Sequence, residues 1–423
     1  MAAARDEKRE GDRMTSHRAV ERAEREAVLA RQRALKMAKS AHAFVRGNTL
    51  KFYEWLDGRP RGTLPEGPPV WICGDCHLGN LGPIADADGK VAIQIRDLDQ
   101  TVIGNPSHDL VRLGLSLASA ARGSNLPGVV TARMLEEMVR GYCDGLGARD
   151  AAEDGGGEPR EPEAVRTIRH RALGRRWKHL ARERLEDEDL KIPRGRRFWA
   201  LDADEHAALD GLFREEAVRG LVLAIDGRHA DEARVRLLDA AYWMKGCSSL
   251  GFLRYAALLR IDARGEKPRL ALVDLKEAVA AAAPPALEIP KDMKRPEDPA
   301  ERVVAGARAL SPHLGERMLP ARILGKPVVV RELLPQDLKL DVDQFGSSEA
   351  VRAARYLAHV VGAAYGRQME ASVRAGWRRT ITCGAPEAEG APSWLWSSVV
   401  ELAGRHEVGY LEHCRSYADA EAA

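Results

Sequence analysis

The sequence predicts an α+β protein built as two lobes. Three observations carry this expectation. At 423 residues the chain is too long for one ordinary compact core. Helix-period patterns occupy its beginning and its end. Between about 232 and 335 the texture changes to strands separated by turn signals. Hydrophobic residues make up 45% and charged residues 30%, a balance that describes a globular chain able to bury a core.

The elements follow in order. Residues 1–46 read as helix, densely charged at first, with apolar residues gathering from Leu29 through Leu35, Met37, Ala41 and Phe44. Gly47 and Asn48 interrupt the pattern before a second helical stretch, NTLKFYEWL. After the turn-rich GRPRGTLPEGPP, the segment VWICGDCHLGN runs from a short strand into a polar loop. ADADGKVAIQIRDLDQ reads as a hairpin, with Asp88-Gly89 at its turn and VAIQI as its second strand. SHDLVRLGLSLASAAR returns to an amphipathic helix, closing a segment, 47–147, that holds the polar loops.

Residues 148–231 read as a linker and helical insertion, opening on the acidic, Gly-rich ARDAAEDGGGEPREP. The basic stretch at 165–184 is read as a solvated helix face rather than a nucleic-acid contact, because LEDEDL follows at once and no aromatic array accompanies it. RVRLLDAAYWMKG, FLRYAALLRI and LALVDLKEA form an antiparallel meander. Asp298-Pro299 opens the helix AERVVAGARAL, and PARILGKPVVVRELL gives two more strands. Two helices, SSEAVRAARYLAHVVGAAYGRQM and PSWLWSSVVELAGRHEVGYLEHCRSYA, finish the chain within 336–423.

A formal charge of +2 creates no global field that would point to nucleic acid or anionic membrane. The N-terminus lacks the apolar core of a secretory signal, and no run approaches the ~18 apolar residues that span a bilayer. Cytosol is the expected compartment. Six scattered cysteines (73, 76, 143, 247, 383 and 414) do not form a disulfide framework.

The chemistry concentrates in ICGDCHLGN. Cys73, Cys76 and His77 spell C-x-x-C-H, a c-type haem signature that also contains a zinc or redox C-x-x-C. An expected cytosolic setting disfavours the haem, and no second C-x-x-C supports zinc. The same stretch carries Asp75 and, five residues on, Asn80, while Asp97 ends the strand that follows. A hairpin can return Asp97 to the start of the loop. An amide and a carboxylate sharing a divalent cation, with a second carboxylate for a hydroxyl proton, suit phosphoryl transfer. Any one such residue also serves as an ordinary turn cap.

CGDCHLGN followed by IRDLDQTVIGNPSHDL resembles the catalytic segment of aminoglycoside and choline phosphotransferases, roughly H-G-D-x-H-x-x-N and I-D-x-x-D-x-x-x-G-x-P-x-x-D-L. The resemblance implies that Asp75 is the catalytic aspartate, that Asn80 and Asp97 hold magnesium, and that His77 orients the loop. Gly104, Pro106 and Asp109 fall on its G-x-P-x-x-D element, and Cys73 replaces a histidine. With SAHAFVRG at 40–47 and DLKEA at 274–278, most of 35–370 is similar to a bacterial family of undefined function with a kinase-like core.

Kinases cover the nucleotide phosphates with a Gly-rich hairpin and a strand lysine. Here KGCSSLG places Gly246, Ser248 and Gly251 in that pattern, and Lys276 lies a strand and a turn later. The resemblance then implies a protein-kinase-like two-lobed fold in circularly permuted order, catalytic motifs first. In it 232–335 is the small lobe, Glu301 the expected ion-pair partner of Lys276, with Glu277 and Glu297 as alternatives, and 332–340 the hinge. The expected cofactors are ATP and magnesium, with an unidentified small-molecule or protein hydroxyl as acceptor. The alternative is a catalytically inactive nucleotide-binding or scaffold protein.

Overall fold

The computed structural model describes residues 20–86, 88–148, 160–175, 191–224, 233–246, 250–264, 267–291, 293–333, 338, 346–382 and 390–422. The chain is a mixed α+β protein with several sheets.

Two helices, α1 (Arg25–Ala38) and α2 (Ala41–Gly47), divide at Ser40, whose hydroxyl caps the second by accepting from the Ala43 N–H. A third, α3, covers Thr49–Asp57. Strands β1 (Val70–Ile72) and β4 (Val102–Gly104) pair antiparallel, and β2 (Leu81–Ala85) pairs with β3 (Val91–Ile95) as the expected hairpin. Helix α4 (Pro106–Gly123) starts with Pro106 in its first turn and Asn105 as its cap, and is buried on nearly every face.

Helix α5 (Gly128–Leu146) was not legible as a separate element. It packs on α11 (Ser347–Gly366) almost backbone to backbone, because a Cβ on Gly141 or Gly362 would lie 2.0 or 2.2 Å from the other helix's carbonyl oxygens. Helix α6 (Glu163–Gly174) takes the described part of the basic stretch. It buries Val165 and Ala172, exposes Arg166 and Arg171, and pairs Arg169 with Glu161, as a solvated face does.

A larger, six-stranded sheet has the order β5-β6-β7-β8-β10-β9. Its strands are β5 (Phe198–Trp199), β6 (Ala233–Trp243), β7 (Arg254–Ala263), β8 (Arg269–Glu277), β9 (Met318–Ile323) and β10 (Lys326–Glu332), with β6, β7 and β8 as the expected meander. One face packs on Leu29 of α1 and on α7 (Ala203–Leu212) and α8 (Glu216–Ala224). Alternation puts Ala256, Leu258, Leu272 and the side chains of Asp274 and Lys276 on the opposite face.

Helix α9 (Pro299–Leu310), capped by Asp298 as expected, belongs to the other, larger core together with β1–β4 and the helices around them. The short α10 (Pro312–Gly315) follows it. Two C-terminal helices were expected beyond residue 336, and three lie among the described residues: α12 (Ala371–Thr382) falls between α11 and α13 (Ser393–Ala422). Among the described residues no helix is long and apolar enough to cross a membrane.

Candidate active site

The loop from Cys73 to Asn80 is held by side chains far away in sequence. Asp109 of α4 accepts from the backbone N–H groups of Gly74 (3.1 Å) and Cys76 (3.2 Å). Its carboxylate also accepts from the Tyr365 hydroxyl, which in turn accepts from the Cys73 N–H. Tyr53 donates to the Gly74 carbonyl, and Ser116 accepts from the Leu78 N–H.

Gly74 has φ +74°, and a Cβ there would lie 2.0 Å from the Gln100 carbonyl oxygen, so only glycine lets the two loops meet. Both C-x-x-C thiols are buried in the main core, with the Cys73 thiol against the Asp97 carbonyl. Among the described residues no group of three or more His, Cys, Asp and Glu is arranged to hold a metal ion.

Asp75 is buried and engaged. Arg112, itself fully buried, donates from Nε to Oδ1 at 2.8 Å, and Thr49 donates to Oδ2 at 2.9 Å. The Asn80 amide donates to the Asp75 carbonyl at 2.9 Å, which directs the Asn80 side-chain oxygen away from that bond. His77 Nδ1 accepts from the Gly79 N–H at 3.0 Å, and its Nε2 lies 3.9 Å from Asp75 Oδ2. Burial and the charges of Arg112 and Arg46 hold His77 well below the usual histidine range, so it is neutral with its proton on Nε2.

Asp97 and Lys276 meet where the loop after β3 faces the six-stranded sheet. Lys276, paired in register with Arg254 on β7 and Val329 on β10, extends its Nζ to 3.2 Å from Asp97 Oδ1 and also bonds Asp99. Partial burial opposes charge on Asp97, but Lys276 and Arg254 outweigh it and hold its carboxyl below the usual range. Burial and the charge of Asp97 push the Asp99 carboxyl up to about 6. The two aspartates and Lys276 line a small open cleft of about 60 Å³ between sheet and loop. Its charged lining is Arg96, Arg254, Lys276 and Arg331 against Asp97, Asp99, Asp274 and Glu277, four cations facing four carboxylates.

Glu301 requires correction as the partner of Lys276. It is exposed on the first turn of α9, while the carboxylates bonded to Lys276 are Asp97 and Asp99. The next residue, Arg302, turns inward instead and donates to the carbonyls of Thr101, Asp99 (2.8 Å) and Val279 (2.8 Å), tying the helix to the Asp97 loop. Glu277 pairs with Lys326, and Glu297 is exposed. Gly246 and Gly251 take φ +96° and +110°, as a glycine turn requires, and neither lines the cleft. Ser248 lies outside the described residues, as does all of 332–340 except Glu332, Leu333 and Leu338.

Burial pushes the Asp109 carboxyl up to about 6 despite its hydrogen bonds. An unfolded aspartate releases its proton near ~3.9, so between these values the native state binds the extra proton. Asp109 therefore contributes most stability below about pH 4 and loses that contribution as pH rises through about 6. Urea unfolding of wild type and Asp109→Asn at pH 4.5 and 7 checks this. The wild-type advantage is expected to shrink between these pH values by about 2 kcal/mol, and a pH-independent difference would contradict it.

The family described as Uncharacterized protein conserved in bacteria (DUF2252) matches residues 25–416. No curated protein and no solved structure matches the chain.

Proposed function

We propose that this chain, which belongs to the bacterial DUF2252 family, is a magnesium- and ATP-dependent phosphotransferase of kinase-like, circularly permuted fold. The observation that carries this reading is the meeting of Lys276 from the sheet with Asp97 from a loop pinned against the Asp75–Asn80 segment. Neither Asp75 nor Asn80 lines the cleft itself. A lysine, the candidate metal ligands Asn80 and Asp97 and the Asp75 carboxylate on adjoining loops would nonetheless supply what phosphoryl transfer needs.

Asn80 and Asp97 offer the hard oxygens that magnesium takes, and magnesium would supply charge neutralisation at the phosphates. With four cations balanced by four carboxylates, the cleft has no surplus charge for a bare triphosphate, which favours entry with a divalent cation. Lys276 would exchange its carboxylates for phosphate oxygens. Asp75 has two of about four acceptor positions taken, which leaves room to orient an incoming hydroxyl.

Measuring ADP formation and nucleotide affinity on Asp75→Asn tests the reading. Turnover is expected to fall roughly 10²–10⁴-fold with affinity changed less than about threefold. Unaltered turnover would remove Asp75 from the mechanism. A second reading, a nucleotide-binding scaffold without turnover, draws on the engagement of Asp75 by Arg112 and Thr49 and of Lys276 by Asp97 and Asp99. Nucleotide binding by wild type without ADP formation would favour it.

A further inference from the structure

The SAHAFVRG segment has entered the site so far only through the charge of Arg46 on His77, yet its helix α2 ends against that site. The last turn brings Arg46 onto Gly79, between His77 and Asn80. A Cβ on Gly79 would lie 2.7, 2.8 and 2.9 Å from Arg46 Nη2, Cζ and Nε. Three atoms at nearly one distance mean that the guanidinium lies flat over the glycine. A side chain at 79 would displace it.

Arg46 is half-buried and makes no hydrogen bond or ion pair with any described residue. The other cations nearby differ in this respect. Arg112 is committed to Asp75 and the Val45 carbonyl, Lys276 to Asp97 and Asp99, and Arg254 and Arg331 to Asp274. The carboxylates Asp75 and Asp97 are thus already paired, and neutral His77 supplies no counter-charge. A planar fork of donors, fixed beside a catalytic loop and lacking an acceptor, fits a carboxylate or phosphate group.

We propose that Arg46 binds an anionic group on the phosphate acceptor, which is therefore an alcohol carrying a phosphate or carboxylate. This rests on the phosphotransferase reading above. In the transfer, the acceptor's hydroxyl oxygen bonds to the γ-phosphorus while the bond from that phosphorus to the β–γ bridging oxygen breaks. ADP leaves, and the hydroxyl proton passes by way of the Asp75 carboxylate to solvent.

The test is thermal unfolding of the full chain against inorganic phosphate, and separately acetate, at constant ionic strength, on wild type, Arg46→Met and Lys276→Met. Saturable stabilisation by at least one anion is expected in wild type and Lys276→Met, and its apparent affinity should fall roughly 10–100-fold in Arg46→Met. Phosphate alone or acetate alone would identify the anionic group. Stabilisation lost in Lys276→Met but kept in Arg46→Met would assign the anion to the nucleotide cleft and overturn the proposal, as would no response to either anion.

Gly79→Ala, which pushes the guanidinium off its seat, is expected to reproduce the loss and serves if Arg46→Met does not fold. Calorimetry of Mg–AMP-PNP on Arg46→Met separates the acceptor from the nucleotide. Unchanged affinity is expected, and a large loss would move Arg46 to the γ-phosphate and overturn the acceptor assignment. Wild type that binds phosphate through Arg46 but no nucleotide would sink the phosphotransferase reading and leave an anion site standing.

Discussion

Asp97→Asn is expected to weaken magnesium-dependent nucleotide binding by roughly 100-fold or more, the size of a lost charge-assisted contact of about 3 kcal/mol. Asp97 faces Lys276, as Asp99 does, and its own carbonyl meets the Cys73 thiol at the head of the Asp75–Asn80 segment. The amide keeps the shape but removes the charge that would hold a divalent cation. The same change frees Lys276 from one partner, so metal-independent binding should persist or tighten slightly. Titration of ATP into the variant with and without magnesium reads both effects. An affinity equal to wild type in magnesium would remove Asp97 from the metal site.

The second large effect concerns stability. Arg112 is fully buried, bonded through Nε to Asp75 and through Nη2 to the Val45 carbonyl at 2.7 Å, with its guanidinium 5.9 Å from the Phe52 ring centre. Arg112→Met leaves the Asp75 carboxylate buried without its cation, which costs about 3–5 kcal/mol. Removing both charges is much less costly, because no lone ion remains inside. The double variant Arg112→Met/Asp75→Asn should therefore recover a large part of the loss, and a double-mutant cycle by urea unfolding measures the coupling. A single-variant loss under about 1 kcal/mol would show that the ion pair does not hold the loop.

The elements that rest on local rules were legible in the sequence. VAIQI alternates and follows an Asp-Gly turn, and β3 spans Val91–Ile95. Asp298-Pro299 marks a capped start, and α9 begins there. Helix α5 was hidden by Gly141 and Gly145, which weaken a helix pattern but let it approach α11 at backbone distance.

The site was legible only in part, for a related reason. Asp75, Asn80 and Asp97 stand close in sequence, whereas the residues that fix their loop, Tyr53, Asp109, Arg112 and Tyr365, lie on three different helices. No local spacing encodes that convergence. On α9, one residue is a turn of about 100°, enough to leave Glu301 in solvent and send Arg302 to the Asp97 loop. Lys276 was identifiable as a strand lysine, but its carboxylate partners come from the loop between β3 and β4, far away in sequence.

The most direct test of the phosphotransferase account is calorimetric titration of ATP into the wild-type chain with and without magnesium. The account predicts saturable binding that needs magnesium. Absence of binding in both conditions would contradict it, leaving the cleft a junction of ion pairs between sheet and loop.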